Sequence, residues 1–102
     1  MGDRVSISFK KGDEESIALF DHWGGMDRVH HATEYAKQLK ERHGGKQSTP
    51  LDRREPGTVM VDYIRLITAG FKEVESSLYV GEMRDPLQGD NGDNGHHVIR
   101  LD

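Results

Sequence analysis

The chain contains no cysteine. That absence excludes a disulfide framework, a thiolate zinc site, an iron–sulfur cluster and a cysteine nucleophile together. It fits a reducing compartment. Long apolar runs are missing as well. The longest, around Ile17 to Phe20 and Val59 to Val61, fall far short of the roughly 20 residues that a membrane span requires. The N-terminus lacks the basic region and apolar stretch of a secretory signal, so a cytoplasmic protein with no membrane partner is expected. There is no basic excess either: 14 Lys and Arg stand against 18 Asp and Glu, a net charge of −4. Basic residues gather at Lys10-Lys11, between Lys37 and Lys46, and at Arg53-Arg54, with acids interspersed among them. Proteins that track phosphates concentrate positive charge on one face, so nucleic-acid binding is disfavoured.

What is present describes one small domain. At 102 residues, with 33% apolar and 31% charged residues, the chain can build one thin core, a layer of helices against one sheet. Val5, Ile7 and Phe9 alternate with Ser6, Ser8 and Lys10, the period of a half-buried strand. After the turn residues Lys11-Gly12-Asp13-Glu14-Glu15, the run Ser16 to Trp23 is apolar on both faces at its centre. This predicts a hairpin whose second strand is the more central. From Met26 to about His43, Val29, Ala32, Ala36 and Leu39 recur at helical spacing, and Gly44-Gly45 supplies a left-handed stop.

Residues 46 to 57 hold Pro50 and Pro56 among polar neighbours and read as a mobile connecting loop. Thr58 can cap a second helix, through Val59, Met60, Tyr63, Ile64, Leu66 and Ile67 to Gly70. That helix is apolar around most of its circumference and is expected to be the more buried one. A strand follows from Ser76 to Met83, then a long turn from Arg84 to Gly95, then a last strand from His96 to Asp102. The expected fold is α+β, ββααββ: a mostly antiparallel four-stranded sheet made of two hairpins, with both helices on one face.

The most unusual text is Asp21-His22-Trp23-Gly24-Gly25, where strand gives way to helix. Glycines there would let a ligand approach backbone N–H groups near a helix start. Asp21 and His22 could form an acid–base pair, and Trp23 a stacking wall. A purely structural reading stands beside this one: Trp23, the single tryptophan, anchors the core, the glycines turn the chain, and Asp21 or Asp27 caps the helix. With Met1-Gly2-Asp3-Arg4 leading into the first strand, this motif resembles a group of short uncharacterised prokaryotic and phage proteins that begin Gly-Asp-Arg and carry His-Trp-Gly-Gly. The resemblance covers about the first 45 residues. It implies shared roles for Arg4, His22, Trp23, Gly24 and Gly25, and carries no activity with it.

Metal chemistry is only weakly signalled. His30-His31 on a helix point about 100° apart, and His96-His97 on a strand point to opposite faces. A zinc site could be assembled in space from His22, Asp21 and one of His96 or His97. The loop Gly89-Asp90-Asn91-Gly92-Asp93-Asn94-Gly95 has the oxygen and glycine content of a weak calcium loop, with Asp90 and Asp93 as ligands. Its spacing fails the EF-hand pattern, because Gly92 takes the third position and Leu101 the twelfth. Met1-Gly2-Asp3-Arg4-Val5-Ser6 fits a myristoylation pattern literally, without the second signal that stable anchoring needs. No nucleophile elbow, phosphate loop or His-Glu-x-x-His is present.

Three functions therefore remain in view. The leading one is a small binding or interaction module using the 21–25 turn or the 89–95 loop, with an unknown protein partner or self-association through a sheet edge. The second is a small metal-dependent hydrolase with His22 as base, Asp21 as its orienter and Arg4 holding an anionic group. The third is a weak calcium-binding protein.

Overall fold

Val5, Ile7 and Phe9 point to one side of the first strand, and the whole core assembles on that side. The computed structural model describes residues 3–72, 78–82 and 92–102. The elements run β1 (Val5–Lys11), β2 (Glu14–Glu15), β3 (Ala18–Asp21), α1 (Gly25–His43), α2 (Pro56–Thr68), β4 (Leu78–Gly81) and β5 (His96–Arg100). This is the α+β architecture expected from the pattern, with five strands among the described residues rather than four.

The fifth strand arises from a bulge. Lys10 pairs with Glu15 and Ile7 with Leu19, so β1 advances three residues while its partner advances four. The extra residue falls at Ser16-Ile17. Ser16 Oγ accepts the Phe9 N–H at 3.0 Å, and Ile17 is displaced outward to 48% exposure. One predicted strand is thereby cut into β2 and β3.

The sheet runs β4-β3-β1-β5, with β2 continuing β3 along the same side of β1. Both strands of the first hairpin are interior, so the second is not the more central of the two. The predicted second hairpin does not form. β4 pairs antiparallel with β3 at one edge, while β5 pairs parallel with β1 at the other, in the register Ser6↔His96 to Lys10↔Arg100. The C-terminal strand therefore crosses the whole sheet to reach its partner.

Leu19, Ile99 and Leu101 join the odd-numbered residues of β1 beneath Val29, Ala32, Tyr35, Ala36 and Leu39 of α1 and Val59, Met60 and Tyr63 of α2. Phe9 sits at the centre, edge-on to Tyr35 (5.8 Å between ring centroids) and to Tyr63 (5.5 Å). The two tyrosine hydroxyls leave the core at different points. Tyr35 donates to Asp62 Oδ2 at 2.8 Å, and Tyr63 meets Arg28 and His31. Burial raises both phenol pKa values, so both stay protonated.

The start of α2 differs from the one expected at Thr58. Pro56 opens α2 at its first turn, after an extended Glu55, so Thr58 lies inside the helix. α2 is the more buried helix, as its apolar content predicts, with Val61 and Leu66 left exposed on its outer side. The segment between the helices is clamped rather than loose. Arg53, Arg54 and Glu55 donate backbone bonds to Thr49, Leu51 and Pro50, and Arg54 also reaches the Leu101 carbonyl. His43 Nδ1 lies 2.7 Å from Asp52, and the Ser48 hydroxyl and His43 together lower the Asp52 pKa to about 2. No helix among the described residues is long and apolar enough to cross a membrane.

Candidate functional site

Asp21 ends β3 opposite Val5, on the side that carries the helices, and is 4% exposed. A carboxylate in that position must find donors, and the next residues provide them. Asp21 Oδ1 accepts the N–H groups of Trp23 (3.1 Å) and Gly24 (3.0 Å), and Oδ2 takes Arg28 Nε at 2.9 Å. Arg28 continues to the Tyr63 hydroxyl at 3.2 Å, which lies 2.8 Å from His31 Nδ1. Strand, turn and both helices are thus tied by one network. Burial lowers the Arg28 pKa, but Tyr63 and Asp21 outweigh it and the net shift is upward.

The glycines are there for this packing. A Cβ on Gly24 would stand 2.1 Å from Asp21 Oδ2. Gly25 has φ +54°, and a Cβ there would stand 2.1 Å from Asp3 Oδ2. Their amides are spoken for as well, Gly24 by Asp21 and Gly25 by the Asp3 carbonyl at 2.8 Å. The helix start therefore does not hold these two donors open for a ligand. Among the described residues no hydrogen bond joins Asp21 to His22. Asp21 braces the turn rather than capping α1, which has no side-chain cap.

Trp23 is not a core anchor: it is 62% exposed. β3 ends at Asp21, and in the bend that follows Trp23 leaves the inward face that strand alternation would give it, its ring meeting His22 edge-on at 5.4 Å between centroids. The same end of the sheet receives the turn that leads into β5. Asp93 Oδ2 accepts both Arg4 N–H (2.9 Å) and Arg4 Nε–H (3.1 Å), while Asn94 Nδ2 donates to Asp3 Oδ1 (2.6 Å) and to the Arg4 carbonyl (3.0 Å). These bonds from Arg4 lower the Asp93 pKa. Asp3 also donates its N–H to the His22 carbonyl at 2.9 Å. The 21–25 turn and Asp93-Asn94 are therefore one surface, joined through Asp3 and Arg4.

No protein-family model, curated protein or solved structure matches this chain. Asp90 lies outside the described residues, and Asp93 is engaged by two N–H donors. Among the described residues no group of three or more His, Asp and Glu is gathered as a metal would require. The zinc set of His22, Asp21 and a β5 histidine is not assembled. Asp21 faces the helices, His96 faces the other side of the sheet, and His97 Nε2 lies 2.8 Å from the Asn94 carbonyl.

The sequence reading missed a polar cluster on the helix-free face. Ser6 and Ser8 are buried, at 0% and 1% exposure, because His96 of the neighbouring parallel strand lies over them. Ser6 Oγ is 2.7 Å from His96 Nδ1, Ser8 Oγ is 3.1 Å from Nε2, and Ser8 donates to Glu15 Oε2 at 2.5 Å. A neutral His96 protonated on Nε2 satisfies this arrangement, accepting from Ser6 and donating to Ser8. The local signal was Ser-x-Ser alone; the register that brings His96 across was not readable.

Burial, opposed by Glu15, lowers the His96 pKa below its ordinary 6.5. The unfolded chain therefore binds a proton that the fold rejects. This contribution to stability is present above about pH 6.5 and is lost as the pH falls through that value toward the folded pKa. Thermal melts should show Tm falling between about pH 8 and about pH 5.5, and His96→Gln should flatten that slope. An equal slope in the variant would assign the acid sensitivity elsewhere. The lowered Asp52, Asp93 and Asp102 carboxyls act in a separate window, losing their contribution only as the pH drops below about 3.8.

Proposed function

We propose that this chain is a small binding module that presents Trp23 as an aromatic anchor at the end of the sheet where the Asp21 turn meets Asp93-Asn94. The observation that carries this reading is the exposure of the single tryptophan, 62%, on a backbone that Asp21 holds by two N–H bonds. A large exposed aromatic costs solubility and adds nothing to the core. Placed on a rigid turn, it loses little conformational freedom on binding, and buried tryptophans dominate the energy of many interfaces. Around it stand His22, the Arg4–Asp93 ion pair and the exposed Met26. These supply the polar rim and soft apolar margin that such contacts use.

The test is a ¹H–¹⁵N titration of metal-stripped protein with an aromatic and cationic fragment mixture, then with zinc and calcium. Saturable shifts from fragments at Arg4, His22, Trp23, Gly24 and Asn94 support the reading. Trp23→Ala should abolish them while changing stability by less than about 0.5 kcal/mol, as is usual for an exposed side chain. A spectrum silent there, or shifts that survive the substitution, would overturn it. Metal-induced shifts centred on Asp93 without a fragment response would favour a cation site instead.

A further inference from the structure

β5 is an edge strand with one open side. At its ends, Ser6 N–H donates to the Gly95 carbonyl at 3.1 Å and Leu101 N–H to the Lys10 carbonyl at 2.8 Å. Backbone groups alternate in direction along a strand, so the odd-numbered residues of β5 bond β1. The N–H and C=O groups of His96, Val98 and Arg100 therefore point outward. Among the described residues no strand pairs with them. Beside this edge α1 leaves a groove of about 350 Å³, walled by Ala36, Lys37 and Lys40 of the helix and by Val98 and Arg100 of the strand. Ala36 is small and Val98 is exposed, so a further backbone can approach the edge closely.

The charge of this groove runs against that of the chain. Two cations of α1, Lys37 and Lys40, line it, with Arg100 and Asp102 at its strand edge, in a protein of net charge −4. Arg100 is paired with that acid at 3.0 Å. Lys37 and Lys40 have no ion-pair partner among the described residues.

We propose that the groove between β5 and α1 binds an extended acidic peptide segment, which adds to β5 as a further strand while its carboxylates meet Lys37 and Lys40. Strand addition satisfies the outward row of backbone donors and acceptors, and the charged rim selects among sequences that could add. A second copy of this chain fits less well, because symmetric pairing of two β5 edges brings two cationic rims together. A single-stranded nucleic acid would match the lysines but offers no row of amides and carbonyls to the edge. The groove lies toward the far end of β5 from the Arg4–Asn94 junction, so this proposal stands or falls apart from the Trp23 surface.

The probes are three capped octapeptides, alternating Glu-Val, Lys-Val and Glu-Pro, together with an oligo-dT strand, each titrated against ¹⁵N-labelled protein. Expected are saturable shifts of His96, Val98, Arg100 and the 33–40 stretch of α1 with Glu-Val alone. The Val98 and Arg100 amides should also gain hydrogen-exchange protection. Glu-Pro carries the same charge but half the donors, so equal binding by it would reduce the site to a charged patch and overturn strand addition. Val98→Pro removes an outward N–H at a position where an edge strand tolerates proline, and should abolish binding. Should that variant fail to fold, Lys37→Glu with Lys40→Glu is expected to weaken Glu-Val about tenfold with Tm unchanged. Binding of oligo-dT in preference to Glu-Val, a dimer protecting the same amides in peptide-free protein, or no response to Glu-Val would each refute the proposal.

Discussion

Asp21→Ala is expected to lower the free energy of unfolding by about 3 kcal/mol, because it leaves a partly buried guanidinium without its counter-charge. The carboxylate is 5% exposed and Arg28 20%, so solvent cannot replace the lost partner cheaply. Two backbone donors, on Trp23 and Gly24, lose their acceptor at the same time. Chemical denaturation of Asp21→Ala, Arg28→Ala and the double variant would check this. The singles should sum to more than the double, with a coupling of about 1–2 kcal/mol. Asp21→Asn retains an acceptor for the turn while losing the charge, and should fall between wild type and Asp21→Ala. If Asp21→Ala melts like the wild type, the carboxylate is not structural, and an acid–base role with His22 gains ground.

The second large effect is expected at Phe9. Truncation to alanine should cost about 4 kcal/mol, the loss for a fully buried aromatic whose site cannot collapse. Phe9 is 0% exposed and sits between Tyr35 and Tyr63, which themselves approach to 5.0 Å. Both tyrosines are also pinned at their hydroxyls, Tyr35 by Asp62 and Tyr63 by Arg28, so neither ring can swing in to fill the space. Against a total stability of about 5–15 kcal/mol for a native domain, such a loss brings the chain close to unfolding at ambient temperature. Near-ultraviolet circular dichroism with urea titration reads it out. Phe9→Leu, which keeps most of the volume, should cost about 1–1.5 kcal/mol. Equal losses for the two variants would show that the ring contacts rather than the cavity set the penalty.

Local pattern was enough to find most elements. Phe9, Ile7 and Val5 were readable as an inward face because a strand repeats every two residues. Val29, Ala32, Ala36 and Leu39 were readable as a helix stripe for the corresponding reason. Errors gathered where two local rules competed. Thr58 is a good capping residue, but Pro56 suits the first helical position and took the start of α2. Apolar content correctly marked α2 as the more buried helix, although a helix on one face of a sheet buries only one stripe, and Val61 and Leu66 were left outside. The one-residue bulge at Ser16-Ile17 carries no signature beyond a serine able to accept the Phe9 amide.

The site was half legible. Unusual spacing drew attention to Asp21, His22, Trp23, Gly24, Gly25 and Arg4, and separately to Asp93. Nothing local could show that Arg4 bonds Asp93 across 89 positions of sequence, or that the only tryptophan turns outward. The sequence by itself determined the α+β class, the absence of cysteine chemistry, the two helices and the inward face of β1. All of these follow from composition and short-range periodicity. Tertiary structure alone decided that β5 runs parallel to β1, because either edge of the hairpin could have received it. That one choice covers Ser6 and Ser8 with His96, joins Asp93-Asn94 to the 21–25 turn, and leaves the cationic groove along α1.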